Sequence, residues 1–174
     1  MKFFWFIVVV FVSEGVTSQS SFVDQLKKQQ WSLTESEKII DDPLAKQILS
    51  EGEKNLFELA KLIDNNEESK VFSKCKNRNL TVGETAMLLI DHIDGMPYFL
   101  IFDIQNCTME KCPDNPNFVE YYFYGQQKEA QQFKKRYLDW LLHDKDRWKY
   151  KKGKARRKTK ELIKQWKLAL NDRS

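Results

Sequence analysis

The sequence is poor in the residues that most often carry catalysis. It contains two histidines, His92 and His143, and three cysteines among 174 residues. The HExxH zinc pattern, the phosphate-binding P-loop, the dinucleotide pattern GxGxxG, the acyl-transfer pattern GxSxG and paired CxxC motifs are all absent from it. We therefore expect a protein that binds a partner rather than an enzyme, and we expect no cofactor and no bound metal.

The two histidines have ordinary explanations. His92 lies in the sequence DHID, which superficially resembles a metal or acid–base cluster. Asp and His are, however, common as plain polar residues beside a tight turn. His143 stands close to Asp144 and Asp146, where local ion pairs are expected on a helix surface.

The sequence also lacks an apolar run of the roughly 20 residues that a membrane-spanning helix requires. Its longest apolar run covers residues 3–12 and follows the single charge of Lys2. Polar residues and then Val16-Thr17-Ser18 come next, which completes the order of a secretory signal peptide. We predict that residues 1–18 are this signal peptide, that cleavage falls before Gln19, and that the protein is secreted without a transmembrane span.

Two further patterns agree with passage through an oxidising secretory compartment. Asn79 and Asn106 each begin an Asn-X-Thr acceptor sequence, so both are predicted to carry N-glycans and to face water. The three cysteines, Cys75, Cys107 and Cys112, allow at most one disulfide bond within the chain. The sequence does not choose the pair, and the third thiol either links two chains into a homodimer or is buried.

Prolines and glycines are few, and they help to delimit the predicted helices. Asp42 is a candidate N-cap, and Pro43 falls in the first helical turn, where a missing N–H costs nothing. An earlier helix start is predicted from Thr34 and Glu37, which have capping-box spacing. One apolar face then recurs at three- and four-residue spacing: Leu44, Ile48, Leu56, Leu59, Ala60 and Ile63.

The middle of the chain favours strands. Asp94-Gly95 is a strong hairpin signal between segments 85–93 and 96–102, and the run YFLIF is typical of a strand. Residues 118–124 are predicted to add a third strand. A helix over 81–95 is the alternative, because Thr81 and Glu84 have capping-box spacing and Gly95 suits a helix end. We favour the hairpin and predict an α+β fold with a small antiparallel sheet.

From residue 126 onward the chain is predicted to be helical again, with Gly153 as an interruption. Before Gly153 the apolar residues repeat every four positions: Phe133, Tyr137 and Leu141. After Gly153 a narrow apolar stripe runs opposite lysines: Leu162, Ile163 and Trp166. We predict one globular domain over 19–142 and a basic amphipathic helical tail over 143–174.

Charges of opposite sign are separated along the chain. Residues 126–174 contain 17 lysines and arginines against 6 acids, whereas residues 19–125 contain 11 against 18. Nine basic residues fall between positions 147 and 160, interleaved with two aromatic residues and no acid. This density predicts a polyanion-binding segment that engages a sulfated glycan. The predicted site comprises Arg147, Trp148, Lys149, Tyr150, Lys151, Lys152, Lys154, Arg156, Arg157, Lys158 and Lys160.

Other interpretations of the basic segment stay open. One is an anionic membrane surface, with Leu162, Ile163 and Trp166 entering the interface. Others are neutralisation by the acidic front of the same chain or of a twin, and a solvated tail. Dibasic sites at 151–152 and 156–158 also permit release of a cationic peptide. A carrier of a small apolar ligand, held between sheet and helices, is the alternative to polyanion binding.

Overall fold

The computed structural model describes residues 22–28, 32, 34–101, 117, 119–120, 123–143, 147 and 152–171, so the predicted signal peptide lies outside it. Its elements, in chain order, are α1 (Phe22–Lys27), β1 (Thr34–Glu35), a 3₁₀ helix (Ser36–Asp41), α2 (Pro43–Glu51), a second 3₁₀ helix (Gly52–Asn55), α3 (Leu56–Leu62), β2 (Glu68–Ser73), β3 (Arg78–Thr81), α4 (Val82–Asp94), α5 (Tyr98–Ile101), α6 (Phe123–His143) and α7 (Gly153–Asn171). The described residues form helices and one small three-stranded sheet, which confirms the predicted α+β class.

Helix α2 begins where the sequence predicts. The Asp42 carboxylate accepts hydrogen bonds from the backbone N–H groups of Leu44 (2.8 Å) and Ala45 (3.3 Å), and Pro43 is the first helical residue. The chain turns at Gly52 (φ +62°) and continues into α3. All six residues of the predicted apolar face are buried: Leu44, Ile48, Leu56, Leu59, Ala60 and Ile63. The face that the spacing indicated is therefore part of the hydrophobic core.

The capping box predicted at Thr34 and Glu37 is wrong. Thr34 and Glu35 form β1, and the 3₁₀ helix that follows begins at Ser36 without a side-chain cap. Strand β1 pairs in parallel with β2, which places Thr34 beside Val71 and Glu35 beside Phe72. This pairing joins distant parts of the chain, so local spacing around Thr34 carries no signal of it.

Strands β2 and β3 form an antiparallel hairpin, with β2 in the middle of the sheet. Asn77 in the connecting turn has φ +50°, a left-handed conformation that asparagine adopts more readily than most residues. On one side of the sheet, side chains pack into the core: Ser69, Val71, Ser73 and Leu80. Phe72 is half-buried and pairs in register with Asn79.

The hairpin predicted over 85–102 is wrong, and the helical alternative is correct. Thr81 Oγ1 accepts from the Glu84 N–H (3.1 Å), while Glu84 Oε2 accepts from the Thr81 N–H (2.8 Å), so α4 begins with a complete capping box. Gly95 (φ +62°) ends the helix. Every residue over 82–90 is buried. A helix covered on all sides is apolar on all faces, which explains why its sequence resembled a strand with two apolar faces.

The other predicted strands are also absent from the described residues of those segments. Residues Tyr98–Ile101 form the short helix α5. Within 118–124, Val119 and Glu120 lie in a 3₁₀ turn and Phe123 begins α6. The sheet is formed instead by β1, β2 and β3, that is by residues 34–35, 68–73 and 78–81.

The two C-terminal helices follow the predicted pattern. Along α6 the four-residue repeat is buried: Phe133, Tyr137 and Leu141. Helix α7 begins at Gly153 (φ +55°), and its Ile163 and Trp166 join the same core as the N-terminal helices. The proposed boundary between a domain over 19–142 and a tail over 143–174 stays a prediction. None of the described helices is both long enough and apolar enough to cross a bilayer.

Candidate polyanion-binding surface

Helix α7 is attached to the body of the protein along one face. Trp166, only 7% exposed, stacks on Phe57 of α3 with ring centroids 5.9 Å apart and ring planes inclined by 13°. Ile163 and Thr159 lie one and two turns earlier and are buried as well. The Thr159 hydroxyl donates to Glu53 Oε2 at 2.8 Å. Because these residues recur at helical spacing, the remaining faces of α7 turn outward.

The outward side of α7 is strongly basic. The helix contains seven lysines and arginines against one acid, Glu161. These cations and Lys152, just before the helix, are all exposed. Across the described part of the chain, no carboxylate oxygen lies within 4.0 Å of their side-chain nitrogens. We call this set the basic surface: Lys152, Lys154, Arg156, Arg157, Lys158, Lys160, Lys164 and Lys167.

Several cations elsewhere in the described chain do contact carboxylates. Lys74 Nζ lies 3.0 Å from Glu35 Oε2, and Lys134 Nζ lies 2.8 Å from Asp64 Oδ1. The hydrogen bond from the Lys74 ammonium, with a second from Lys38, holds the pKa of Glu35 below its usual range. The same contact raises the pKa of Lys74. The basic surface of α7 differs because its charges are not balanced in this way.

The charge density is highest near the start of α7, where the helix itself is positive. The first turn contains no acidic residue, and Lys154, Arg156 and Arg157 occupy the first positions. Backbone N–H groups at a helix N-terminus carry a partial positive charge, so each cation there costs about 0.3–1 kcal/mol. An anion bound beside these residues would relieve the repulsion.

Arg147 belongs to the predicted site but lies in a different environment. Its guanidinium donates to Asp94 Oδ2 from Nη2 (2.8 Å) and Nε (3.1 Å), and it lies 5.3 Å from the ring centroid of Trp140. The Arg147 side chain is only 3% exposed. A buried and paired guanidinium is not available to a partner, so we remove Arg147 from the candidate surface. Trp148, Lys149, Tyr150 and Lys151 lie outside the described residues.

The apolar stripe considered for membrane insertion is not free. Ile163 and Trp166 are 3% and 7% exposed, and Leu162 is partly buried against the core. The exposed large apolar residues of α7 are instead Leu168 (57%) and Leu170 (39%), near its C-terminal end. The basic surface therefore lacks an inserting apolar face beside its densest charge.

The remaining sequence candidates are scattered. His92 is exposed on α4, and His143 Nδ1 lies 3.0 Å from Asp139 Oδ1, one turn earlier on α6. The ion pairs expected with Asp144 and Asp146 lie outside the described residues. No group of three or more metal-ligating side chains comes together in the described part of the chain.

Cys75 and Asn79 lie close to each other in sequence, in and beside the β2–β3 hairpin. Cys75 is disulfide-bonded, whereas Cys107 and Cys112 lie outside the described residues, so the choice between them stays a prediction. Asn79 is half-buried on β3, and its Nδ2 donates to Glu68 Oε1 at 2.5 Å. Asn106 also lies outside the described residues. Glycosylation at both sites stays a prediction.

Two surface grooves bear on the alternative of an apolar-ligand carrier. A groove of about 450 Å³ is lined by Leu100, Ile101, Arg136, Asp139, Trp140 and His143. A second groove, of about 370 Å³, lies on the sheet beside Thr34, Glu35, Phe72 and Asn79. Both are open at the surface and carry charged side chains, which suits an apolar ligand poorly.

Sequence reasoning missed a buried polar cluster that joins the sheet to Asn117 and Glu120. The Ser73 hydroxyl donates to the Glu120 carboxylate, and the Asn117 amide donates to the Ser36 carbonyl oxygen. Ser73 and Glu120 are completely buried. These residues are far apart in the sequence, so no local sequence pattern predicts the cluster. Its contacts join three segments of chain, which is a structural role.

Comparison with known proteins gives no match. No protein-family model, no curated protein and no solved structure matches this chain.

Proposed function

We propose that this protein is a secreted glycoprotein that acts by binding a polyanion through the basic surface of α7, rather than by catalysis. One observation carries the proposal. The exposed cations of α7 stand on a helix that is fixed by its buried face, and no carboxylate neutralises them in the described chain. A surface held in place loses less conformational freedom on binding than a free tail does.

The sequence supports an extracellular setting for this activity. Residues 1–18 have the layout of a signal peptide, and Asn79 and Asn106 begin N-glycosylation sequences. Outside the cell, a sulfated glycan is the polyanion most readily met. Binding releases counterions from such a polymer, so the affinity is expected to fall steeply with salt.

The binding proposal is tested by elution from immobilised heparin. The test variant replaces four cations of the basic surface with glutamine: Arg156, Arg157, Lys158 and Lys160. The matched control removes the same charge from exposed lysines elsewhere: Lys28, Lys46, Lys70 and Lys135. We expect the test variant to elute at clearly lower salt and its salt-dependence slope to fall by about 3. Equal elution of test variant, control and unmodified protein would refute the proposal.

The secretion proposal is tested separately by the intact mass of the protein released from a eukaryotic secretory cell line. We expect a chain that begins at Gln19 and that loses mass on enzymatic removal of N-glycans. Asn79→Gln and Asn106→Gln should each remove one glycan. Retention of residues 1–18, or a mass unchanged by deglycosylation, would contradict this part of the proposal.

A further inference from the structure

The cations of α7 are distributed unevenly around the helix. Successive residues are rotated by about 100°, so positions can be measured from the inward direction of Thr159. Four cations fall on one flank of the helix. Measured from that direction, Arg156 lies at roughly 60°, Lys160 at roughly 100°, Lys164 at roughly 140° and Lys167 at roughly 80°. We call these four residues the basic row: Arg156, Lys160, Lys164 and Lys167. Lys154 and Lys158 fall on the opposite flank, at roughly −140° and −100°, and Arg157 falls between the two flanks, at roughly 160°.

The basic row is continuous along the axis, whereas the opposite flank is not. Successive members of the row are separated by four, four and three residues, which corresponds to steps of about 5–6 Å over a total of about 16 Å. On the opposite flank the charge stops after Lys158, because Leu162, Gln165 and Ala169 follow at helical spacing. Only one flank therefore offers a regular linear array of positive charge.

The direction in which the basic row faces distinguishes two kinds of anionic partner, a thin polymer chain and a flat surface. The crest of α7, opposite Thr159, carries Arg157, Glu161 and Leu168, and all three are exposed. A flat anionic surface resting on α7 meets this crest first, and there it finds a carboxylate and a leucine beside the cations. A thin chain can instead lie along the flank, where no acid interrupts the row.

The chemistry around the row decides between classes of linear polyanion. Proteins that bind single-stranded nucleic acid combine a positive groove with aromatic side chains on which bases stack. The one aromatic residue of α7, Trp166, is buried against Phe57. A polymer recognised by its charges alone suits this flank better than one recognised by stacking.

We propose that the basic row binds one linear sulfated polysaccharide chain that runs parallel to the axis of α7. The inference rests on the proposed function and adds to it a binding mode, a polymer class and a set of contact residues. Sulfate groups along the chain pair with Arg156, Lys160, Lys164 and Lys167 in succession. Lys154 and Lys158 contribute only the long-range attraction of their charge.

The test compares two double variants with the same change in net charge. Lys160→Gln with Lys164→Gln removes two members of the row, and Lys154→Gln with Lys158→Gln removes the two cations of the opposite flank. Binding of a heparin octasaccharide is measured at several salt concentrations, and circular dichroism verifies that both variants are folded. We expect the row variant to lose at least tenfold in affinity and about 1.5 in salt slope. The opposite-flank variant should lose less than threefold.

Each outcome decides a different point. Equal losses in the two variants would mean that the charge acts diffusely, which overturns the row but leaves the proposed function intact. No loss in either variant, and none in the fourfold variant above, would overturn the proposed function itself. Tighter binding to an oligothymidylate of equal charge, or to vesicles containing phosphatidylserine, would overturn the assignment to a sulfated polysaccharide.

Discussion

Trp166 of α7 stacks on Phe57 of α3, with the ring centroids 5.9 Å apart and the planes inclined by 13°. This contact lies seven residues beyond Thr159, at the far end of the face that attaches α7 to the body. It holds the helix in one rotational setting. The direction in which the basic surface points therefore depends on an aromatic contact that carries no charge.

The first prediction tests whether binding to heparin depends on where the charges are held as well as on how many there are. Trp166→Ala removes a buried aromatic ring and is expected to lower the free energy of unfolding by about 3–5 kcal/mol. It should also weaken binding to heparin, although every lysine and arginine is retained. The measurements are denaturant unfolding and heparin elution. Leu168→Ala, at a 57% exposed position of the same helix, is the control and should change stability by less than about 0.5 kcal/mol.

The second prediction concerns the distinction between Arg147 and the basic surface. Arg147→Gln breaks a buried ion pair and should destabilise the protein by about 3 kcal/mol, because Asp94 loses the charge that compensates it. Lys160→Gln should leave stability within about 0.5 kcal/mol. Heparin elution, measured where both variants are folded, should shift more for Lys160→Gln. The reverse order would return Arg147 to the binding site.

The third prediction tests the close approach of α3 and α4. A Cβ added at Gly83 would lie 2.3 Å from the backbone oxygen of Ile63 and 3.0 Å from that of Leu62. Helix propensity alone favours Gly83→Ala by about 1 kcal/mol. The clash with backbone atoms reverses the sign, and we expect a loss of about 2 kcal/mol or more. Denaturant unfolding measures it, and a stabilised variant would refute the close packing.

The fourth prediction concerns alkaline stability. Burial raises the pKa of the Tyr137 phenol above its ordinary value near 10, and the hydroxyl has no hydrogen-bond partner among the described residues. Below about pH 10 the phenol is neutral in both folded and unfolded chains, so its contribution is constant. Above that pH only the unfolded chain ionises, and stability falls by about 1.4 kcal/mol per pH unit.

Tyr137→Phe removes this titration. Unfolding measured between about pH 8 and pH 11 should show a shallower alkaline loss for the variant, and at neutral pH the variant should be at least as stable as the unmodified protein. Identical alkaline slopes would mean that other groups account for the loss.

Local sequence determined those features whose cause is local. The start of α2 follows from Asp42 and Pro43, because an N-cap carboxylate and a first-turn proline act within three residues of each other. The buried face of α2 and α3 follows from three- and four-residue spacing of apolar side chains. The break before α7 follows from Gly153, whose φ of +55° few other residues adopt.

The segment 81–95 shows where local information was insufficient. Its sequence satisfies both a hairpin and a capped helix, since Asp94-Gly95 suits a tight turn while Thr81, Glu84 and Gly95 suit helix ends. In the folded protein this segment is a helix, and its residues 82–90 are buried on every side. That burial depends on distant parts of the chain, so a short stretch of sequence does not contain it. The sheet formed elsewhere, through the pairing of Thr34 with Val71.

The candidate site divides in the same way. The sequence by itself determined that positive charge collects in residues 126–174, because composition alone fixes net charge. Only the tertiary structure decided that Arg147 neutralises Asp94 while Lys160 faces outward, and that Trp166 is buried rather than exposed. The physical reason is that a charge is available to a partner only if folding brings no carboxylate to it, and that depends on the packing of distant segments.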